Sequence, residues 1–445
     1  MISITENQFR DHLFEHHKES LSTLIKGRRD PVEWTGDGFP SISFLLQRRA
    51  EKKINEILDN LEELVLTAKE MRLERNAPHP TRIDLFGNSA STGIAVIELK
   101  KSGQTERQAF TELLAYSNHF CSIFPGLKES SITSILVAPM ETRTVKDAYV
   151  QELVSNAKNI LGLIPSQDGS NFTLEVFYPG ASYYAYFENN ILNDASMVCV
   201  AYEFPLIPGW IDSDLKGEDK SLPDYTKNAL NKISNSIAQR LASEGYHALI
   251  YATQKWGEIA GLFPNPNVIV VAAMNPFSSY RTNVHEGQVY GSSDEGRISQ
   301  VQSIYDQLTG DGKEFYWVDT MENNFHNSLM RSVREQFEHC LQSHAGEKVR
   351  GSLSCPDWYG LKTSNIDAVF THNLDVYSTG LLREIYLEYM THVYKNGIDE
   401  IYYHDDLPKY GYKMLTPFLA VWEIFSGLGY KKEDEIPEDE DAEDS

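Results

Sequence analysis

Cysteine is scarce in this chain. Four residues, Cys121, Cys199, Cys340 and Cys355, are spread over 445 positions, and no two are close enough to make a paired metal-ligand motif. That usage argues against a disulfide framework or a zinc ribbon and fits a reduced, cytoplasmic protein. Long apolar runs are missing too. No stretch approaches the ~18 residues that a membrane-crossing helix needs, so no membrane partner is expected. The first residues, Met1-Ile-Ser-Ile-Thr-Glu, lack the basic start and apolar run of a secretory signal. No GxxxxGK[ST] loop occurs, so the chain carries no evident nucleotide-hydrolysing motor.

Positive charge is the last shortage. The chain has 40 Lys+Arg against 64 Asp+Glu, a formal net charge of −24. Taken whole, this speaks against a polyanionic partner, but the distribution is uneven. Residues 1–180 hold 20 basic and 24 acidic side chains, residues 181–430 hold 18 and 31, and the tail from Lys431 holds 2 and 9. Half of the basic residues therefore lie in the first 180 positions. Beyond them the chain repels polyanions, although salt limits that reach to about 8 Å.

The length predicts two domains rather than one core. Three segments are expected: a first domain over 1–190, a second α/β domain over 191–430 that regulates, selects substrate or binds a partner, and a disordered acidic tail over 431–445. A homo-oligomer through the second domain is also open. In the first domain, helical spacing predicts a helix over Thr5–Ile25 and one long helix or two over Ser41–Arg75. A hairpin follows. Its strands are Arg82–Phe86 and Ile94–Lys100, and its loop is Gly87–Gly93. Then come a helix (Thr105–Phe120), a strand (Ile132–Ala138), a helix (Val145–Leu161) and a strand (Phe172–Phe177). This order describes helices around a mixed sheet. Further on, strands are expected at Met197–Ala201, Ala248–Tyr251, Val268–Ala273 and Phe315–Val318. Helices are expected at Asn228–Glu244 and Asn327–Ser343.

The hairpin holds the chemistry. Glu98 and Lys100 are two apart on a strand, so their side chains share a face. Hairpin pairing can bring Asp84 beside them. Two carboxylates and an ammonium converging at a sheet edge suit phosphodiester hydrolysis. Oxygen ligands hold Mg²⁺ or Mn²⁺ with waters left in the shell. The metal acidifies a bound water, and a lysine can orient that water or stabilise charge on the phosphate. Glu98 and Lys100 also close a strongly apolar strand, where charge is costly unless paired or at an edge.

Asp84, a spacer, then Glu98-Leu99-Lys100 resembles the signature of the PD-(D/E)XK nucleases. Glu112-Leu-Leu-Ala-Tyr116 on the next helix resembles the Gln-x-x-x-Tyr element of RecB-like members, with Glu112 where many relatives have Gln. The likeness covers roughly residues 1–180. It implies a restriction-endonuclease-like core in a Mg²⁺-dependent deoxyribonuclease, with nucleic acid, DNA foremost, as partner. It further implies that Asp84, Glu98 and the Leu99 carbonyl bind metal, and that Lys100 is the catalytic lysine. Glu112 would be an extra ligand or a partner for Lys100, and Tyr116 belongs to the same site. An acid from an early helix often completes such sites, and Glu6, Glu15 and Glu63 are the candidates. Bacterial nucleases of this build often act in defence against phage or mobile DNA. A repair or RNA-directed nuclease and an inactive scaffold are the alternatives.

Other residues carry weaker signals. Arg48, Arg49, Lys52 and Lys53 fall on one helical face, either as phosphate contacts or as a solvated face pairing with Glu51 and Glu56. Gln108, one turn before Glu112, is a further candidate nucleic-acid contact. Lys26, Arg28 and Arg29 make a similar basic cluster. Tyr178, Tyr183, Tyr184, Tyr186 and Phe187 are base-stacking or packing aromatics. His404-Asp405-Asp406, and His339-Cys340 with His344, read as structural.

Overall fold

Thr5 starts the first helix, α1 (Glu6–His16), with a capping box: its hydroxyl accepts from the Gln8 N–H and the Gln8 side chain accepts from the Thr5 N–H. In the computed structural model the described residues are 2–36, 40–73, 82–103, 106–169, 171–186, 197–205, 224–254, 265, 267–277, 284–285, 288–289, 303–304, 306–307, 317–345, 350–356, 358–361, 368 and 374–396. The acidic tail and His404-Asp405-Asp406 lie outside them. Among the described residues no helix is long and apolar enough to cross a membrane. The chain divides into two units, Met1–Tyr184 and Ala185–Ser445.

The first unit is built on β1 (Ile25–Lys26), α2 (Ile42–Asn60), β2 (Val65–Arg72), β3 (Arg82–Ser89), β4 (Gly93–Leu99), α3 (Glu106–Ile123), β5 (Ile132–Val137), α4 (Arg143–Val150), β6 (Ile160–Asp168), β7 (Asn171–Val176) and α5 (Ala181–Tyr186). One mixed seven-stranded sheet runs in the order β1-β7-β6-β5-β4-β3-β2. β4 and β5 are parallel, as are β5 and β6, while β3 pairs antiparallel with both β2 and β4. Residues 95–99 of β4 are buried on both faces because the strand is central and covered.

Several sequence expectations need correction. The helix expected over Ser41–Arg75 ends at Asn60. A 3₁₀ turn at Leu61–Glu63 follows, and the remainder is β2. Val65 and Thr67 are β-branched and favour the strand, while Leu61, Leu64 and Leu66 happen to keep helical spacing. The helix expected over Thr5–Ile25 ends at His16, and Ile25 opens β1. The helix expected over Val145–Leu161 stops in a π turn at Gln151–Ser155, so that Ile160 and Leu161 begin buried β6. The hairpin loop is shorter than expected, since Gly87, Asn88 and Ser89 still pair with β4. Gly87 has a spatial reason: a Cβ there would lie 2.8 Å from the Val65 carbonyl oxygen, beside the bulge of β2.

The second unit has an antiparallel sheet flanked by helices. β8 (Met197–Phe204), β9 (Ala248–Gln254), β10 (Asn267–Met274), β13 (Ser352–Ser354) and β14 (Val376–Ser378) are ordered β13-β8-β10-β9-β14, and the short β11 (Val284–His285) and β12 (Gln288–Val289) pair separately. α6 (Asp224–Ser243) and α7 (Trp317–Ala345) supply Leu230, Ile233, Ile237, Leu329, Val333 and Phe337 to the core under it. α8 (Trp358–Leu361) and α9 (Gly380–Asn396) follow. The strand expected at Phe315–Val318 is corrected at its end: Trp317 and Val318 open α7. Phe315 and Tyr316 lie outside the described residues.

Candidate active site

The β3–β4 ladder is antiparallel and its last paired residues are Leu85 and Ile97. One step further, Asp84 and Glu98 fall opposite each other and the strands no longer pair. The Asp84 side chain takes over where the backbone stops: its Oδ2 accepts the Leu99 N–H at 2.9 Å. Meanwhile β4 stays tied to β5, with the Lys100 N–H donating to the Val137 carbonyl at 2.8 Å. Past the end of the β3–β4 ladder the strands are joined through side chains rather than backbone. Glu98 and Lys100 share that face, and the Lys100 ammonium lies 2.6 Å from Glu98 Oε1.

Helix α3 packs on β4 and β5 and brings two more groups. Glu112 Oε2 lies 2.6 Å from the Lys100 ammonium. The Tyr116 hydroxyl lies 2.8 Å from Glu98 Oε2 and 2.5 Å from the Arg82 carbonyl oxygen. Glu112 and Tyr116 are four apart, so they stand one above the other on one helix face. The side chains of Glu98 and Lys100 are 4% and 10% exposed and Glu112 is 35% exposed.

The charges do not balance. Asp84, Glu98 and Glu112 are gathered around one ammonium, Lys100, with the Arg10 guanidinium also acting on Asp84. Burial, then the neighbouring Asp84 carboxylate, pushes Glu98 up to about 9 against the pull of Lys100. Burial likewise raises Asp84, partly offset by the Leu99 N–H. Burial would lower Lys100, but Glu98 and Glu112 outweigh it and hold the ammonium charged. Burial and the Glu98 carboxylate raise Tyr116, so its hydroxyl stays protonated. A phenol has one proton for two acceptors. With Glu98 ionised, Tyr116 donates to Glu98 or to Arg82. With Glu98 protonated, Glu98 donates to Tyr116 and Tyr116 to Arg82. The uneven charge therefore favours a proton on Glu98.

Of the early acids, Glu6 is the one whose charge acts on Asp84. Its Oε1 accepts the Lys101 N–H at 2.8 Å. Glu15 instead pairs with Lys69, and Glu63 accepts from Ser91. Arg10 was not foreseen. It is buried, bonds Glu70 at 2.9 Å, and its charge acts on Asp84. Its signal was available: Glu6 and Arg10 are four apart on α1. Among the described residues no group of three or more His, Cys, Asp or Glu side chains is set to hold a metal. Asp84 and Glu98 offer carboxylate oxygens, the donor type a hard divalent cation takes, and Glu112 is turned to Lys100.

The nucleic-acid contacts expected on α2 need correction. Arg48 is 1% exposed, so it belongs to the interior and cannot serve as a surface phosphate contact. Arg49 donates to the Val154 carbonyl at 3.2 Å, and Lys53 donates to the Ala157 carbonyl. These two cap the carbonyls around the π turn after α4. Lys52 is half-buried and Gln108 is exposed on α3. Arg28 pairs with Asp59, and Arg29 pairs with Glu51 and lies over the Tyr178 ring. Tyr183 and Tyr184 are buried packing residues. The Tyr186 side chain, Phe187 and the His344 side chain lie outside what is described, and Cys340 is a buried core residue. No family model, curated protein or solved structure matches this chain.

Proposed function

We propose that the first unit is a restriction-endonuclease-like, metal-dependent nuclease that hydrolyses DNA phosphodiester bonds. The observation that carries this is the cluster of Asp84, Glu98 and Lys100 where the β3–β4 ladder ends, with the next helix contributing Glu112 and Tyr116. Asp84, Glu98 and the Leu99 carbonyl would hold Mg²⁺ or Mn²⁺. When bound, the ion supplies an acidified water and screens charge on the phosphate.

The protein's own groups divide the remaining work. Asp84 is fixed by the Leu99 N–H, and Tyr116 fixes one oxygen of Glu98. Orienting partners of this kind keep ligands in place. Glu112 holds the Lys100 ammonium toward Glu98. From there Lys100 orients the attacking water or donates to the phosphoryl oxygen as charge builds. The water oxygen bonds to phosphorus, the opposite P–O bond breaks, the water gives up a proton, and the leaving oxygen takes one. A place in bacterial defence against phage or mobile DNA is part of the same proposal.

The test is cleavage of plasmid, linear duplex, single-stranded DNA and RNA by the full chain. Mg²⁺ and Mn²⁺ should support DNA cleavage, and Ca²⁺ should occupy the site without turnover. Full activity in EDTA would end the proposal. Cleavage of RNA alone would move it to an RNA-directed nuclease.

A further inference from the structure

The second unit carries an open cleft of about 590 Å³ between α7 and the edge of its sheet. Arg334, Glu338 and Gln342 line it from α7, with Arg350 just before β13, Ser352 on β13 and Tyr202 on β8. That volume lies in the range of small-molecule sites, ~300–1,000 Å³. The charge is out of keeping with its surroundings. Residues 181–430 hold 18 basic side chains against 31 acidic ones. Yet Arg334 and Arg350 are both exposed, and neither is in an ion pair among the described residues. Arg240, also exposed, instead pairs with Glu244 and reaches toward Glu335.

The rest of the lining is held in place. The Tyr202 ring stacks on Phe337 with centroids 3.8 Å apart, and its hydroxyl donates to Glu338 Oε1 at 3.3 Å. Ser352 donates to the buried Glu203 carboxylate at 2.8 Å. Gly351 lies so close to the Tyr202 ring and the Glu203 carbonyl that no side chain fits there. The two guanidinium groups and the Gln342 amide are thus the cleft's uncommitted polar donors, above a floor that is already bonded.

We propose that this cleft binds a phosphate-bearing ligand of nucleotide size, through Arg334 and Arg350. Guanidinium forks match phosphate oxygens in pairs. Glu338, beside them, favours a ligand with a hydrogen-bond donor away from its phosphate. The phosphate belongs either to a free nucleotide or to the phosphorylated end of a nucleic acid. The proposal is independent of the chemistry at Asp84, Glu98 and Lys100.

Titration calorimetry on the full chain in EDTA tests it. The probes are pyrophosphate, the common nucleoside mono- and triphosphates, and a short oligonucleotide with or without a 5′-phosphate. Wild type should bind at least one phosphate-bearing probe. Arg334→Ala and Arg350→Ala should each weaken binding about tenfold or more, as loss of a charged hydrogen bond implies. Both arginine side chains are exposed, so the variants should fold, which circular dichroism checks. Binding of nucleotides identifies a free ligand, and binding of the phosphorylated oligonucleotide alone identifies a nucleic-acid end. Absence of binding by every probe, or equal binding by wild type and both variants, overturns the proposal.

Discussion

Replacing Lys100 with methionine removes the ammonium that lies 2.6 Å from both Glu98 and Glu112. The stem of the side chain is retained, so the main change is electrostatic. Above about pH 9 in EDTA, where Glu98 is ionised, breaking a buried pair by removing one partner costs about 3–5 kcal/mol. Glu112 is 35% exposed, and water screens that half of the interaction, so the lower end applies. At roughly 2–4 °C per kcal/mol, a loss of about 3 kcal/mol lowers the thermal midpoint of the first unit by about 6–12 °C in EDTA. A divalent cation should then do for the variant what Lys100 does for the wild type. Each tenfold gain in metal affinity adds about 1.4 kcal/mol of stabilisation at saturation. Lys100→Met should therefore gain more stability from Mg²⁺ than wild type does, while DNA cleavage falls by ~10²–10³. Calorimetric melts with and without Mg²⁺, hydrogen exchange in β4 and α3, and a cleavage assay measure all three. A wild-type midpoint in EDTA would refute the buried-pair reasoning. A lowered midpoint that Mg²⁺ restores no better than in wild type would refute the metal site.

Glu98→Gln should weaken metal binding and cleavage together, because an amide is a poor ligand for a hard dication. It should also flatten a pH dependence. Glu98 sits near 9 in the folded protein against 4.5 for a free side chain, so in that window the folded state holds a proton the unfolded state has lost. Metal-free wild type therefore loses stability as pH rises through the window, and parallel melting curves for wild type and Glu98→Gln between those limits would contradict this. Tyr116→Phe removes the bond to Glu98, and should cost about 1–3 kcal/mol and weaken metal binding 10–100-fold. Unchanged metal affinity by titration would show that the hydroxyl does not orient Glu98. Arg48→Ala should lower stability by a few kcal/mol and leave the salt dependence of DNA binding alone. A salt slope reduced by ~0.9 with stability unchanged would instead make Arg48 a surface contact.

The chemistry-bearing hairpin was legible because it is local. Asp84, Glu98 and Lys100 lie within 17 positions of one another, and period-two alternation fixes which side chains share a face. Glu112 and Tyr116 were readable for the same reason on a helix. Arg48 was not, because charge on a helical wheel says nothing of what packs over it. Strands β2 and β6 were hidden because their first residues continued an apolar spacing begun in a helix, and short apolar runs do not distinguish the two periods. Choosing Glu6 over Glu15 and Glu63 required the tertiary contact to Lys101, which no local pattern encodes.

The bond from Glu6 to the Lys101 N–H joins residues 95 positions apart. During synthesis α1 emerges long before the strand and turn that it will hold. The Asp84–Glu98–Lys100 hairpin and its helix draw on nearby sequence, and α1 finds β2 through Arg10–Glu70 and Glu15–Lys69, but the Glu6 bond needs residue 101. Contacts this distant carry a high closure entropy and form late. Completion of the site is thereby tied to completion of the first unit's fold, and fragments that display the motif without α1 lack the group that fixes the end of β4.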